Sequence, residues 1–297
     1  MVKIQGIIPP IITPMHADES VNEEELRIQV ERQIAAGVHG IFCFGTNGEC
    51  YILHDDEKER ILKIVVEQAA GRVPVYAGTG CVGTKDTIRL SRMAEKAGAD
   101  VLSVITPYFA AASQNELIAH YTAVASAVSL PIVLYNIPAR TGVNLAPATV
   151  KKLSRIENIV GVKDSSGNFD NMLQYLEQTR DIDFAVLSGN DSLILWNLLA
   201  DGAGGISGCA NVYPATMAGI YDAFVQGDLK KARELQDSIR TFRDCFRFGN
   251  PNTIVKKAVE LLGYPVGECR RPFSQIPDEG ISALKAVLAE NQTKGMK

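Results

Sequence analysis

A chain of 297 residues, 46% hydrophobic and with a formal net charge of −4, has the apolar mass for one large core and lacks the basic runs that grip nucleic acid. No apolar stretch reaches the roughly 18 residues of a membrane span. Prolines interrupt the apolar N-terminal stretch "MVKIQGIIPPIITP", so no secretory leader is expected and a cytoplasmic protein is.

Strand-length apolar runs then alternate with longer amphipathic patterns. The predicted strands are 7–12 ("IIPPII"), 40–44 ("GIFCF"), 73–78 ("VPVYAG"), 100–105 ("DVLSVI"), 131–136 ("PIVLYN"), 159–163 ("IVGVK"), 184–189 ("FAVLSG") and 203–207 ("AGGIS"). They are continuously apolar, as strands buried on both faces are. Asn22 with Glu25, and Ser113 with Glu116, have the spacing of capping boxes at helix starts. Eight such units in about 200 residues, with no linker between them, predict an α/β fold, a (β/α)₈ TIM barrel over 1–212. A doubly wound sheet is the alternative, but it more often splits into halves.

After residue 212 no strand pattern recurs. The stretch 227–247 places Leu229, Ala232, Leu235, Ile239, Phe242 and Phe246 on one helical stripe, and 250–263 and 277–290 read as two more helices. Residues 213–297 are thus expected to form the remaining barrel helix and a C-terminal helical extension, not an independent domain.

Six cysteines, none in a CxxC pair, read as buried or half-buried thiols, and four histidines without ligand spacing argue against a built-in metal site.

Barrels of this kind place their chemistry at the C-terminal ends of the strands. Strand two ends in "GTNGE" (45–49), strand four in "TPYF" (106–109) and strand five in "YNIPARTG" (135–142). Strand six ends at Lys163, strand seven in "SGND" (188–191) and strand eight in "GISG" (205–208). A lysine at the end of a buried strand points into an apolar mouth, where burial favours the neutral amine that attacks a ketone or aldehyde. The plain alternatives are a lysine that snorkels to the rim or pairs with Asp164. Tyr135, on the adjacent strand, has a phenol fit to relay protons as an imine forms, or is a core aromatic. The "GTNG" turn before a helix presents backbone N–H groups for a carboxylate. Arg140 can grip a second carboxylate, or sit solvated in its loop. Ser165 and Asp191 suit substrate hydroxyls; with Ser166 they equally suit loop and cap hydrogen bonds. Together these groups equip a barrel for Schiff-base chemistry on a 2-oxo acid such as pyruvate.

The motifs "GTNGE", "AGTG", "TPYF", "YNIPARTG", "GVKDSSGN" and "GISGCANVYP", in this order, make the chain resemble the dihydrodipicolinate synthase and N-acetylneuraminate lyase superfamily of class I, pyruvate-dependent aldolases. The resemblance implies Lys163 as the Schiff-base amine and Tyr135 as the proton relay. It implies Thr46 and Asn47 at the pyruvate carboxylate, Gly189 and Ile206 lining the pocket, no cofactor, and a homotetramer built as a dimer of dimers. Two departures bear on which member this is. Asn47 stands where the synthase branch usually has a second threonine, and Phe109 where it has a tyrosine that reaches the neighbouring subunit. The leading expectation is therefore an aldolase that condenses or cleaves pyruvate with an aldehyde, of the 2-keto-3-deoxy sugar acid type. The alternative is the synthase reaction of pyruvate with aspartate semialdehyde. A catalytically silent binding or assembly protein on the same barrel is a third reading.

Overall fold

The computed structural model describes residues 2–297. Eight parallel strands form one sheet: β1 Gly6–Ile8, β2 Ile41–Cys43, β3 Val75–Gly78, β4 Val101–Ile105, β5 Ile132–Asn136, β6 Ile159–Asp164, β7 Ala185–Ser188 and β8 Gly204–Ile206. The ladders run β1-β8-β7-β6-β5-β4-β3-β2. The remaining seam, between β1 and β2, closes through a single parallel bridge from Pro10 to Phe42. All eight expected strands are present, and the first is the most shortened. Pro9 and Pro10 have no N–H to offer a ladder. The seam therefore rests on Phe42 N donating to Pro9 O and Ile11 N donating to Phe42 O, each at 2.9 Å.

Side chains alternate between two environments, as the strand pleat requires. Ile8, Phe42, Tyr76, Val101, Val133, Leu187 and Ile206 pack together inside the barrel. Ile41, Val75, Leu102, Leu134, Val162 and Val186 face outward into the helices. At the β1–β8 contact the backbones come very close: a Cβ on Gly204 would stand 2.1 Å from Gly6 O.

The capping-box spacing is realised in full at Ser113, whose N–H reaches Glu116 Oε2 at 2.7 Å. Asn22 accepts from Glu25 N, but Glu25 Oε1 takes Gln29 Nε2 instead of completing the box. At the next helix start His54 N donates to Glu57 Oε2 at 2.9 Å, with no side-chain cap bond from His54.

The expected single helix over 227–247 is a correction. Leu229–Ser238 and Arg240–Asp244 are separate helices joined at Ile239, and Cys245–Phe248 is a 3₁₀ turn. The stripe itself persists across the break: Ala232, Ile239 and Phe242 are buried, and only Leu229, at the first position of the first helix, is exposed. Helices Pro214–Val225, Pro251–Leu261 and Asp278–Thr293 complete this region. Met217, Ile220, Ile254 and Leu284 share one apolar cluster with Ile7 of β1, Ile12 just beyond it, and Ile194 and Leu198. The region after 212 thus packs directly on the barrel, and helix Pro251–Leu261 reaches the mouth.

Candidate active site

Period-two alternation carries Val133 and Tyr135 inward on β5, and Gly161 and Lys163 inward on β6. Register then sets Tyr135 beside Lys163, and Lys163 beside Leu187. Lys163 is 4% exposed. Its Nζ lies 3.8 Å from the centroid of the Tyr135 ring and 5.3 Å from that of Phe42. The next residue, Asp164, points to the other side of the sheet. Its carboxylate accepts Asn136 Nδ2 at 2.8 Å and Ser166 Oγ at 2.7 Å, so it braces the strand ends and does not pair with the lysine. Small residues leave room for the amine: a Cβ on Gly189 would stand 1.9 Å from Ser165 Oγ and 2.9 Å from Lys163 Cε.

Tyr135 is buried, and its hydroxyl lies 3.2 Å from Thr46 Oγ1. Thr46 sits in a tight turn, not at a helix start: the following helix begins only at Asp55. Within this turn Gly48 N and Cys50 N donate to Gly45 O, and Glu49 N donates to Thr46 O. The N–H groups of Thr46 and Asn47 donate to no protein group among the described residues. They are two adjacent donors at the mouth, as a carboxylate nest requires. The turn is bounded by Phe44 and Glu49, both at φ 59°. That left-handed backbone is uncommon outside glycine.

The cavity has two lobes of about 230 Å³ and 220 Å³ that meet at Thr46, Tyr135 and Arg140. The first holds Lys163 with Asn47, Ser165, Gly189, Asp191 and Ile206, so every residue proposed from the sequence lines one connected space. Arg140 lies within the short helix Pro138–Thr141, is exposed, and donates through Nη2 to Asn250 Oδ1 at 3.2 Å. Asp191 lines the cavity with its carboxylate fixed by protein donors. It is buried and accepts Ser207 Oγ at 2.6 Å, Cys209 N at 3.2 Å and Arg243 Nη1 at 2.9 Å. Its carboxylate is thus already engaged, and it presents Arg243 to the cavity.

The second lobe runs from Tyr135 toward Cys50, Tyr51, Lys58, Cys81 and Tyr108. Burial pushes the Cys50 thiol up to about 11 and the Tyr51 phenol up to about 12. Both stay protonated at neutral pH and do not compete with the amine as nucleophiles. Tyr108 lines this lobe, whereas Phe109 turns away, 99% exposed and at φ 75°.

Sequence reasoning missed the contribution from beyond residue 212. Arg243, Phe246, Asn250, Asn252 and Val255 all line the cavity. The pattern "NPN" at 250–252 marks a helix start, with asparagine as cap and proline at the first position. No local signal tells which strand end that helix will meet.

Fold and buried amine place this protein among the class I aldolases, the lyases that work through a lysine. The model of the dihydrodipicolinate synthetase family matches residues 3–291. The chain belongs to that family. It is 42% identical over 290 residues to a 4-hydroxy-tetrahydrodipicolinate synthase of Methanoculleus marisnigri, covering 97% of this chain and 99% of that one. Its fold matches a dihydrodipicolinate synthase from Aquifex aeolicus with a TM-score of 0.93 and 34% identity, covering 97% of this chain and 98% of the other. It also matches the chloride-inhibited synthase from Acinetobacter baumannii, solved with pyruvate, with a TM-score of 0.94 and 32% identity, covering 98% and 99%. The protein is an aldolase of the dihydrodipicolinate synthase type.

Proposed function

We propose that this protein condenses pyruvate with aspartate semialdehyde to 4-hydroxy-tetrahydrodipicolinate. The observation that carries the chemistry is the buried Lys163 amine against the Tyr135 ring, with the Tyr135 and Thr46 hydroxyls 3.2 Å apart beside it. The choice of second substrate is supported by the synthase name that relatives near 40% identity bear. That support moves the reading away from the sugar-acid substrate that the sequence favoured.

In this reading pyruvate enters with its carboxylate on the Thr46 and Asn47 N–H groups. The neutral Lys163 amine attacks the ketone carbon. Tyr135, passing protons to and from Thr46, protonates the carbinolamine oxygen, which leaves as water. The iminium then withdraws electrons, and loss of a methyl proton gives the enamine. The enamine carbon adds to the aldehyde of the semialdehyde, whose carboxylate Arg140 holds. The semialdehyde's amine next attacks the imine carbon, closes the ring and displaces Lys163. The balance is one water released per pair of substrates. Phe109 offers no hydroxyl, so the relay here has two hydroxyls, those of Thr46 and Tyr135. The homotetramer implied by the resemblance belongs to the same proposal. In it a neighbouring subunit covers Phe109, and sedimentation or light scattering tests that assembly.

The deciding experiment offers the enzyme pyruvate with aspartate semialdehyde, and separately a panel of neutral aldehydes and 2-keto-3-deoxy sugar acids. The proposal expects the semialdehyde to give the highest kcat/KM. A higher value for cleavage of a sugar acid would replace it.

A further inference from the structure

Helix Pro251–Leu261 lies outside the barrel, yet it fastens the strand-two turn at three points. Asn252 is 1% exposed. Its Nδ2 donates to Thr46 O at 2.8 Å and to the Tyr51 hydroxyl at 2.9 Å, so one amide spans both ends of the turn. Lys256 follows four residues later and therefore faces the same way. Its Nζ meets Glu49 Oε1 at 2.8 Å and donates to Glu268 O at 2.8 Å. Glu49 Oε2 accepts Arg270 N at 2.8 Å. The side chains of Lys256 and Glu49 are 1% and 0% exposed.

These contacts bear on the pyruvate site through a single peptide plane. Thr46 C=O and Asn47 N–H belong to one planar unit and point in opposite directions. Asn252 and Glu49 N both donate to that carbonyl. Fixing the oxygen fixes the direction of the Asn47 N–H, and hydrogen bonds to the oxygen polarise the N–H on the far side. The Lys256–Glu49 pair then holds the end of the turn in its left-handed conformation. Apolar residues of similar volume usually stabilise a core as well as a buried ion pair does. What the pair adds is a fixed geometry.

We propose that Asn252 and Lys256 are positioning residues for the pyruvate carboxylate: through the Thr46–Asn47 peptide plane they aim the Asn47 N–H from outside the barrel. The proposal rests on the Schiff-base reading given above. The helix cap serves a different grip, because Asn250 Oδ1 accepts from Arg140 Nη2. One helix thus braces two substrate contacts, and they are separable by mutation.

The test measures the initial rate of borohydride-trapped adduct against pyruvate concentration, read by intact mass, together with the KM for the semialdehyde. Asn252→Ala is expected to raise half-saturating pyruvate about tenfold, the scale of one lost hydrogen bond. The KM for the semialdehyde should stay within about twofold of the original. Asn252→Asp keeps the volume, loses the donors and should raise half-saturating pyruvate at least as much. Lys256→Gln should shift pyruvate in the same sense; if it does not fold, the two Asn252 variants decide. Asn250→Ser, which keeps a capping oxygen, should do the reverse, raising the KM for the semialdehyde and leaving pyruvate alone. An adduct that forms with unchanged pyruvate dependence in Asn252→Ala would overturn this inference alone. So would an equal rise for both substrates. No adduct in the unaltered protein would overturn the Schiff-base reading as well.

Discussion

Replacing Tyr135 with phenylalanine removes one oxygen and little else. The ring that lies 3.8 Å from Lys163 Nζ remains, so the surroundings of the amine are preserved. The lost contact is the one to Thr46 Oγ1 at 3.2 Å. A single neutral hydrogen bond contributes about 1 kcal/mol to stability. In a chain of this size that lowers Tm by about 2–4 °C. The loss in chemistry is expected to be much larger. A positioned proton-transfer group is worth about 10²–10⁴ in rate, or about 2.7–5.4 kcal/mol at about 1.36 kcal/mol per decade. The two effects therefore separate cleanly. Turnover with pyruvate and aspartate semialdehyde should fall at least a hundredfold, while the melting transition and assembly state barely move. Thr46→Val should give a loss of the same kind. The double variant should lose far less than the product of the two, because residues that act as one relay are not additive. Turnover of Tyr135→Phe within a few-fold of the original would mean that another group carries the proton, and the relay would have to be abandoned.

Lys163→Ala should keep its fold and yield no borohydride-trapped pyruvate; an adduct of unchanged mass yield would withdraw the lysine assignment. Arg140→Ala should leave adduct formation intact and cost about 1.5–3 kcal/mol in kcat/KM for the acidic aldehyde, the range of hydrogen bonds to charged groups. A neutral aldehyde losing as much would reduce Arg140 to a loop brace through Asn250. Free lysine should not inhibit. The resemblance implies that lysine-sensitive members carry an asparagine at the place of Val82 and imidazoles near the places of Asp55 and Lys58, whereas here Val82 is apolar and exposed and the other two are a carboxylate and an ammonium. Saturable lysine binding by calorimetry would refute this. The Arg270 guanidinium holds the Glu57 carboxyl below its usual value near 4.5. A depressed folded-state pKa contributes stability above the unfolded value and loses it as pH falls through the folded one. Glu57→Gln should therefore flatten the acid limb of a Tm-against-pH curve below about pH 4.5, and an unchanged limb would contradict the pairing.

Much of the barrel and half of its mouth were legible in the chain itself, because both depend on short-range rules. Continuous apolar runs identify strands buried on two faces. The strand ends put Lys163 and Tyr135 at one mouth, and the register of β5 and β6 sets them side by side. The turn at 45–49 reveals its glycines, and the order of motifs identifies the family. What the chain alone left open involves contacts across many residues. The helix expected over 227–247 is interrupted at Ile239, although its apolar stripe through Ala232, Ile239 and Phe242 is buried as its spacing indicates. Sequence names Asp191 as a mouth residue, but not that Ser207, Cys209 and Arg243 hold its carboxylate. The capping pattern at 250–252 announces a helix. Only the packed structure decides that its asparagine meets Thr46 O and its lysine meets Glu49, more than 200 residues earlier. Local spacing specifies which way a side chain leaves its own backbone. The group it meets depends on how whole layers dock, and that is settled by burial of the shared core.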